Sequence, residues 1–261
     1  DITQLEKEAS ELAERIKDYK EILSSENRLF KVIKSELKEI KKNYATPRLT
    51  SIEDEIEELK VEKELLISEE DTIVTVTREG YLKRTSVRSY ASSEPEDIGI
   101  RQGDNVMYAE KLSTLDQIVL FTNKGKVINR PVHELPDIRW KDAGQHLSQT
   151  LNFEADEQII SVFNYRKLPD NEKFVFMTRN GYIKQTVVSD FVQKRNYRSS
   201  SSIAIALSGK DDELLNVHLV KDNENYDVFL VSHRGYGLRY ALDEVATYGP
   251  TAKGVKSINL K

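Results

Sequence analysis

Apolar residues at Ile2, Leu5, Ala9, Leu12, Ile16, Tyr19 and Leu23 recur in alternating steps of three and four, the a/d seam of a coiled coil. Such a seam predicts a helix that needs a facing helix. The stretch Ser24 to Asn27 interrupts it, and Leu29, Ile33, Leu37 and Ile40 carry a second amphipathic helix, so the helices could also pack on one another. Pro47 stops helix. Thr50, with Glu53 three residues on, makes a capping box for a third helix running to about Leu66. The acidic stretch Ile67 to Asp71 then leads into structure of a different period.

From Thr72 onward the chain repeats. "TIVTVTREGYLKRT", "QIVLFTNKGKVINR", "KFVFMTRNGYIKQT" and "DVFLVSHRGYGLRY" align on Gly80, Gly125, Gly181 and Gly235, at spacings of 45, 56 and 54 residues. Four and six positions before each glycine the residue is apolar every time, and positions five and seven are mostly apolar, so each lead-in reads as a strand buried on both faces. Glu79-Gly80, Lys124-Gly125, Asn180-Gly181 and Arg234-Gly235 then predict two-residue type I′ hairpin turns. Nineteen residues after each turn glycine come Gly99, Gly144, Ser200 and Gly254, a second set of structural turn positions. Units of this length suit propeller blades beginning near residues 72, 117, 173 and 227. The predicted class is α+β and multidomain, with a helical segment over 1–70 and an all-β propeller-like domain over 71–261.

Composition narrows the chemistry. The 261 residues contain no cysteine, which excludes disulfides and thiolate sites, and no apolar run approaches a membrane span. The chain opens at Asp1 with neither a start methionine nor a signal sequence, and so reads as part of something longer. Net charge is −5, unevenly spread: 13 of the 39 basic and 19 of the 44 acidic residues fall in 1–70, leaving the remainder at +1. Only a local basic surface could bind a polyanion. His133, His146, His218 and His233 lack paired ligand spacing, so no metal site is expected.

"DYKEILSSENRLFKVIKSELKEIKKNYATPRLT", "EDTIVTVTREGYLKRT", "LPDIRWKDAGQHLS" and "GVKSINLK" together resemble the A subunits of bacterial type IIA topoisomerases, over essentially the whole chain. The resemblance implies the end of a coiled coil followed by a C-terminal β-pinwheel whose blades exchange strands. The family disc has five or six blades, so four repeats make an arc. Family gyrases carry a Gln-Arg-Arg-Gly-Gly-Lys/Arg-Gly box in the first blade. Here Ser93 to Gly99 reads "SEPEDIG": only Gly99 matches, Glu94 and Pro95 replace the arginines, and Asp97 brings a further carboxylate. Such groups repel phosphate, which favours the topoisomerase IV branch over gyrase-style wrapping.

The family's cleavage tyrosine sits in an Ala-Ala-x-x-Arg-Tyr-Thr setting that is not found here, since Arg239-Tyr240 lies inside the fourth hairpin. The expectation is a non-catalytic part without its own cofactor, ATP and magnesium being used elsewhere in the parent enzyme. Implied partners are double-stranded DNA, the rest of a homodimeric topoisomerase A chain and the ATPase-bearing B chain, in the bacterial cytoplasm at the nucleoid and without membrane insertion. DNA would lie on a basic rim: Lys83, Arg84 and Arg88 in the first repeat; Lys124, Lys126, Arg130, Arg139 and Lys141 in the second; Arg179, Lys184, Lys194, Arg195 and Arg198 in the third; Arg234, Arg239 and Lys253 in the fourth. "QKRNYRSSSS", residues 193–202, is the richest patch. Tyr81, Tyr182 and Tyr236, each just after a turn glycine, suit packing between blades better than base stacking. A propeller that mainly docks protein is the alternative of another class.

Overall fold

The computed structural model describes residues 2–48, 50, 67–191 and 201–259. Contacts divide the chain into two units, Asp1–Lys60 and Val61–Lys261.

In the first unit, α1 (Ile2–Ser24) and α2 (Glu26–Tyr44) are separated by Ser25 alone, a shorter break than the polar stretch predicts. Ser25 is extended (φ −136°, ψ 112°), yet its carbonyl accepts the Arg28 and Leu29 N–H groups, so α2 restarts at once. Arg28 reaches back to Asp18 and Glu21 of α1. Neither helix buries a residue, and Leu5, Leu12, Ile16, Leu37 and Ile40 are all more than half exposed, so the two do not hide the seam on one another. The expected third helix lies outside the described residues.

In the second unit, β1 (Asp71–Thr77) with β2 (Tyr81–Ser86), β4 (Gln117–Thr122) with β5 (Lys126–Pro131), β8 (Glu172–Thr178) with β9 (Tyr182–Val187), and β12 (Asp227–Val231) with β13 (Gly237–Ala241) are the four hairpins. The first three gain a third antiparallel strand beside their leading strand: β3 (Val106–Ser113), β7 (Ile159–Tyr165) and β11 (Leu214–Lys221). The fourth strand of each sheet comes from beyond the next hairpin. β6 (Gln145–His146) pairs with β2, β10 (Ser202–Ile203) with β5, and β14 (Val255–Lys256) with β9. Three four-stranded sheets therefore exchange an edge with their successors, and the fourth hairpin forms a two-stranded sheet.

Side-chain alternation places the cores between sheets. Ile118 and Leu120 of β4 join Val74, Val76, Leu82 and Leu147 of the first blade, whereas Val119 and Phe121 turn to Phe174 and Phe176 of the third. Phe121 is fully buried and meets Phe174, Phe176 and Phe191 edge-on with ring centroids 4.9, 5.3 and 5.7 Å away. Burying one such side chain stabilises by roughly 1.5–3 kcal/mol. β8 repeats the pattern, with Val175 passing to a third core shared with Val228, Leu242 and Val245. The prediction of strands buried on both faces fails for β12. Val228 is buried, but Phe229 and Val231 are 67% and 63% exposed, because no further sheet covers that face among the described residues.

The turns also differ from prediction. Each glycine has positive φ (Gly80 +92°, Gly125 +71°, Gly181 +77°, Gly235 +82°), but no other described residue type does, which excludes type I′. Glycine N–H instead bonds to the carbonyl three residues back, at Thr77, Thr122, Thr178 and Ser232. This is a three-residue loop, a type I turn followed by a left-handed glycine. The hydroxyls of Thr77, Thr178 and Ser232 add a second tie by accepting from the N–H of the residue after the glycine.

Within the second set of glycines, Gly254 has positive φ, +82°, whereas Gly99 and Gly144 do not. Their common property is close approach. A Cβ on Gly144 would lie 2.7 Å from the Leu82 carbonyl oxygen, on Gly254 2.2 Å from that of Ile183, and on Gly99 2.3 Å from the Asp142 carbonyl carbon. Gly144 and Gly254 precede the exchanged strands and let them seat on the neighbouring hairpin.

Candidate nucleic-acid interface

Three of the predicted rim cations are interior. Lys83, three residues past its turn glycine, is 1% exposed; its Nζ donates to the carbonyls of Trp140 and Asp142 at 2.7 Å and of Arg139 at 3.4 Å, and lies 5.4 Å from the Trp140 ring. Lys184, at the equivalent position, is fully buried and donates to Gly249 and Pro250 carbonyls at 2.9 Å. These acceptors belong to the loop that carries the exchanged strand. Burial pushes both amines down to about 8. Neither can meet phosphate. Arg130 is buried too, with Nη1 donating to the Asn129 carbonyl, and Arg84 spends Nε on the Leu135 carbonyl at 3.1 Å.

Six further cations face carboxylates. Lys124 pairs with Asp156, Lys126 with Glu154 and Glu157 at 2.9 Å, Arg139 with Asp142 at 2.8 Å, Lys141 with Asp97 at 2.7 Å, Arg179 with Glu213 at 2.7 Å, and Arg239 with Asp227. Lys194, Arg195 and Arg198 lie outside the described residues. Arg88, Arg234 and Lys253 are exposed and meet no carboxylate among the described residues. The turn amides are occupied as well. Asp104 accepts from Glu79 N–H and Asp212 from Asn180 N–H, at 3.0 and 2.9 Å.

Sequence reasoning missed Arg101 and Lys256. The Arg101 guanidinium lies 5.6 Å from the Tyr81 ring centroid; Lys253 and Lys256 Nζ lie 4.7 and 5.0 Å from that of Tyr182. The pairing of Tyr81 with His146 and of Tyr182 with Lys256 places a residue of the exchanged strand against each ring. Only knowledge of that register could have singled out Lys256. Tyr236 is 64% exposed.

The window Ser93 to Gly99 is bound to the second blade. Residues 95–97 form a 3-10 turn, the Trp140 indole donates to the Glu94 carbonyl at 3.1 Å, Gly99 N–H donates to the Trp140 carbonyl at 2.8 Å, and Asp97 holds Lys141. Tyr240 of the Arg239-Tyr240 pair packs against the third core. No group of His, Asp and Glu among the described residues could hold a metal ion, and no described helix is long and apolar enough to cross a membrane.

The family described as "DNA gyrase C-terminal domain, beta-propeller" matches residues 71–93, 116–165, 172–221 and 226–261. The chain belongs to this family. The gap after Ser93 in this gyrase C-terminal-domain match takes in Glu94 to Gly99, where the chain departs from the gyrase box. The chain is 43% identical over its whole length to the A subunit of DNA topoisomerase 4 from Bacillus subtilis and 42% identical to that from Streptococcus pneumoniae, and spans 32% of each. A solved C-terminal domain of DNA topoisomerase IV superposes on 75% of this chain and 59% of its own, with TM-score 0.68 and 43% identity. The E. coli ParC C-terminal domain shares the fold, at TM-score 0.58 and 15% identity, over 73% of this chain and 72% of its own.

Proposed function

We propose that the chain is the DNA-holding part of the A subunit of a bacterial topoisomerase IV. It binds a duplex by its phosphates, bends it and presents it to the breakage site elsewhere in the enzyme, in support of decatenation and supercoil relaxation. The observation that carries this reading is the identity of 42–43% along the entire chain to subunits of that name. The cleavage tyrosine, ATP and magnesium belong to other parts of the assembly, which would comprise a homodimer of A subunits with the ATPase-bearing B subunits in the bacterial cytoplasm.

The first-blade window supports topoisomerase IV over gyrase. A wrapping box must offer arginines to phosphate, whereas here Glu94 and Asp97 occupy the site and Asp97 engages Lys141. Bending a 20 to 30 base-pair site by 40° to 90° costs roughly 1–6 kcal/mol, so several phosphate contacts must act together.

Fluorescence anisotropy of the chain with a duplex of about 40 base pairs, between about 50 and 200 mM salt, tests the reading. Affinity should fall log-linearly and steeply; a protein-docking propeller would respond little, and no binding at the low-salt end overturns the assignment. Ligation of nicked plasmid in the presence of the chain should leave linking number unchanged. A shift would indicate handed, gyrase-like wrapping.

A further inference from the structure

We propose that Tyr81 with Arg101, and Tyr182 with Lys253 and Lys256, form two anchors for the DNA backbone in the first and third blades. This rests on the DNA-holding reading above.

Tyr81 and Tyr182 are equivalent: each is the first residue of the second hairpin strand, following the left-handed glycine. Arg101 stands 5.6 Å from the first ring, and Lys253 and Lys256 stand 4.7 and 5.0 Å from the second. All three cations are exposed, and none has a carboxylate within ion-pair distance among the described residues. An aromatic face positions a cation without discharging it, because the attraction comes from the ring quadrupole and leaves the full positive charge facing solvent. A carboxylate partner does the opposite, and the paired rim cations described above are in that state.

The second blade shows the contrast. The residue after its turn glycine is Lys126, whose ammonium lies 2.9 Å from both Glu154 and Glu157, and the exchanged residue across from it is Ile203. Among the described residues, no ring and no unpaired cation occupy that place. Among the described residues, a cation held by a ring at this strand position is thus found in the first and third blades. With one cation at one anchor and two at the other, the fitting ligand is an extended polyanion that spans blades. The rings serve the cations, which leaves them poorly placed to stack on bases and explains the tyrosine after the glycine without a stacking platform.

The test uses this chain and the same 40 base-pair duplex, comparing Arg101→Gln/Lys253→Gln/Lys256→Gln with Lys111→Gln/Lys173→Gln/Lys221→Gln, which removes equal charge from lysines paired to Asp71, Asp222 and Glu224. Each phosphate contact contributes about 0.9 to the slope of log affinity against log salt, so the first variant should be shallower by about 2.7 and the second unchanged. Arg101→Gln alone should lose about 0.9 and Lys253→Gln/Lys256→Gln about 1.8, which keeps the proposal testable should the triple variant not fold. Binding by the parent chain with slopes that do not change in the anchor variants, or that change equally in the control, overturns the anchors and leaves the DNA-holding reading intact. Absence of binding by the parent chain overturns both.

Discussion

Lys83 Nζ stands 2.7 Å from the carbonyl oxygen of Trp140, a residue of the following blade. Lys184 repeats the relationship two blades on with Gly249 and Pro250. Buried carbonyls that no strand satisfies are thus met by an ammonium, and the amine that looks like a DNA ligand in the sequence is a fastener between blades.

Lys83→Met keeps the aliphatic length and removes the donors. Leaving the Asp142 carbonyl without its ammonium donor, and the Trp140 carbonyl with the Gly99 N–H alone, should destabilise by about 1–3 kcal/mol, read from urea unfolding, while the salt slope of DNA binding stays that of the parent. A shallower slope at full stability would return Lys83 to the rim.

The same amines set a pH dependence. Their folded value is near 8 against an ordinary 10.5. Below about pH 8 they are protonated in both states and contribute no slope; from there to 10.5 the unfolded chain holds more protons, so their contribution to stability rises with pH. Tyr108 and Tyr165, pushed up to about 12 by burial, act in the opposite sense, their contribution being lost as pH climbs from 10 toward 12. Comparing the parent with Lys83→Met/Lys184→Met isolates the lysines: the parent should gain on the variant as pH rises above 8. A constant difference in melting temperature would show that the lysines titrate at their ordinary value.

Gly254→Ala should destabilise by about 1–3 kcal/mol, since it combines positive φ with a Cβ 2.2 Å from the Ile183 carbonyl oxygen. Gly144→Ala, at 2.7 Å from the Leu82 oxygen and without positive φ, should lose less. Gly209→Ala, which meets nothing within 4 Å, should stay within about 0.5 kcal/mol. Equal effects in all three, measured by denaturant midpoints, would refute the close-approach account.

Lys126→Met should weaken the fold by about 1–3 kcal/mol because Glu157, 3% exposed, would lose its cation and keep only the Thr122 hydroxyl and the Glu154 N–H. Lys124→Met removes a pair whose partner Asp156 is exposed and should leave the midpoint nearly unmoved. Thermal melts of the two variants side by side distinguish them.

The turn glycines and the strands leading into them are legible in the sequence because both obey local rules, positive φ at one residue and apolar side chains in a row. The turn type escapes that reading, although Thr77, Thr122, Thr178 and Ser232 stand at a constant place three residues before each glycine. The fate of the cations is not local at all. Lys83 and Lys253 are alike as residues, yet one finds carbonyls 57 positions away and the other a tyrosine ring in a neighbouring hairpin. β6 and β14 are two residues each, too short to show a period, and they decide which side chains meet.

The borrowed strands also bear on the order in which the chain can take shape as it leaves the ribosome. The first sheet lacks an edge until His146 has been made, by which time the whole second hairpin already exists, and the third waits in the same way for Lys256. Each of the first three blades is finished by its successor, so a transplant cut at the borders of one hairpin would leave the blade before it one strand short.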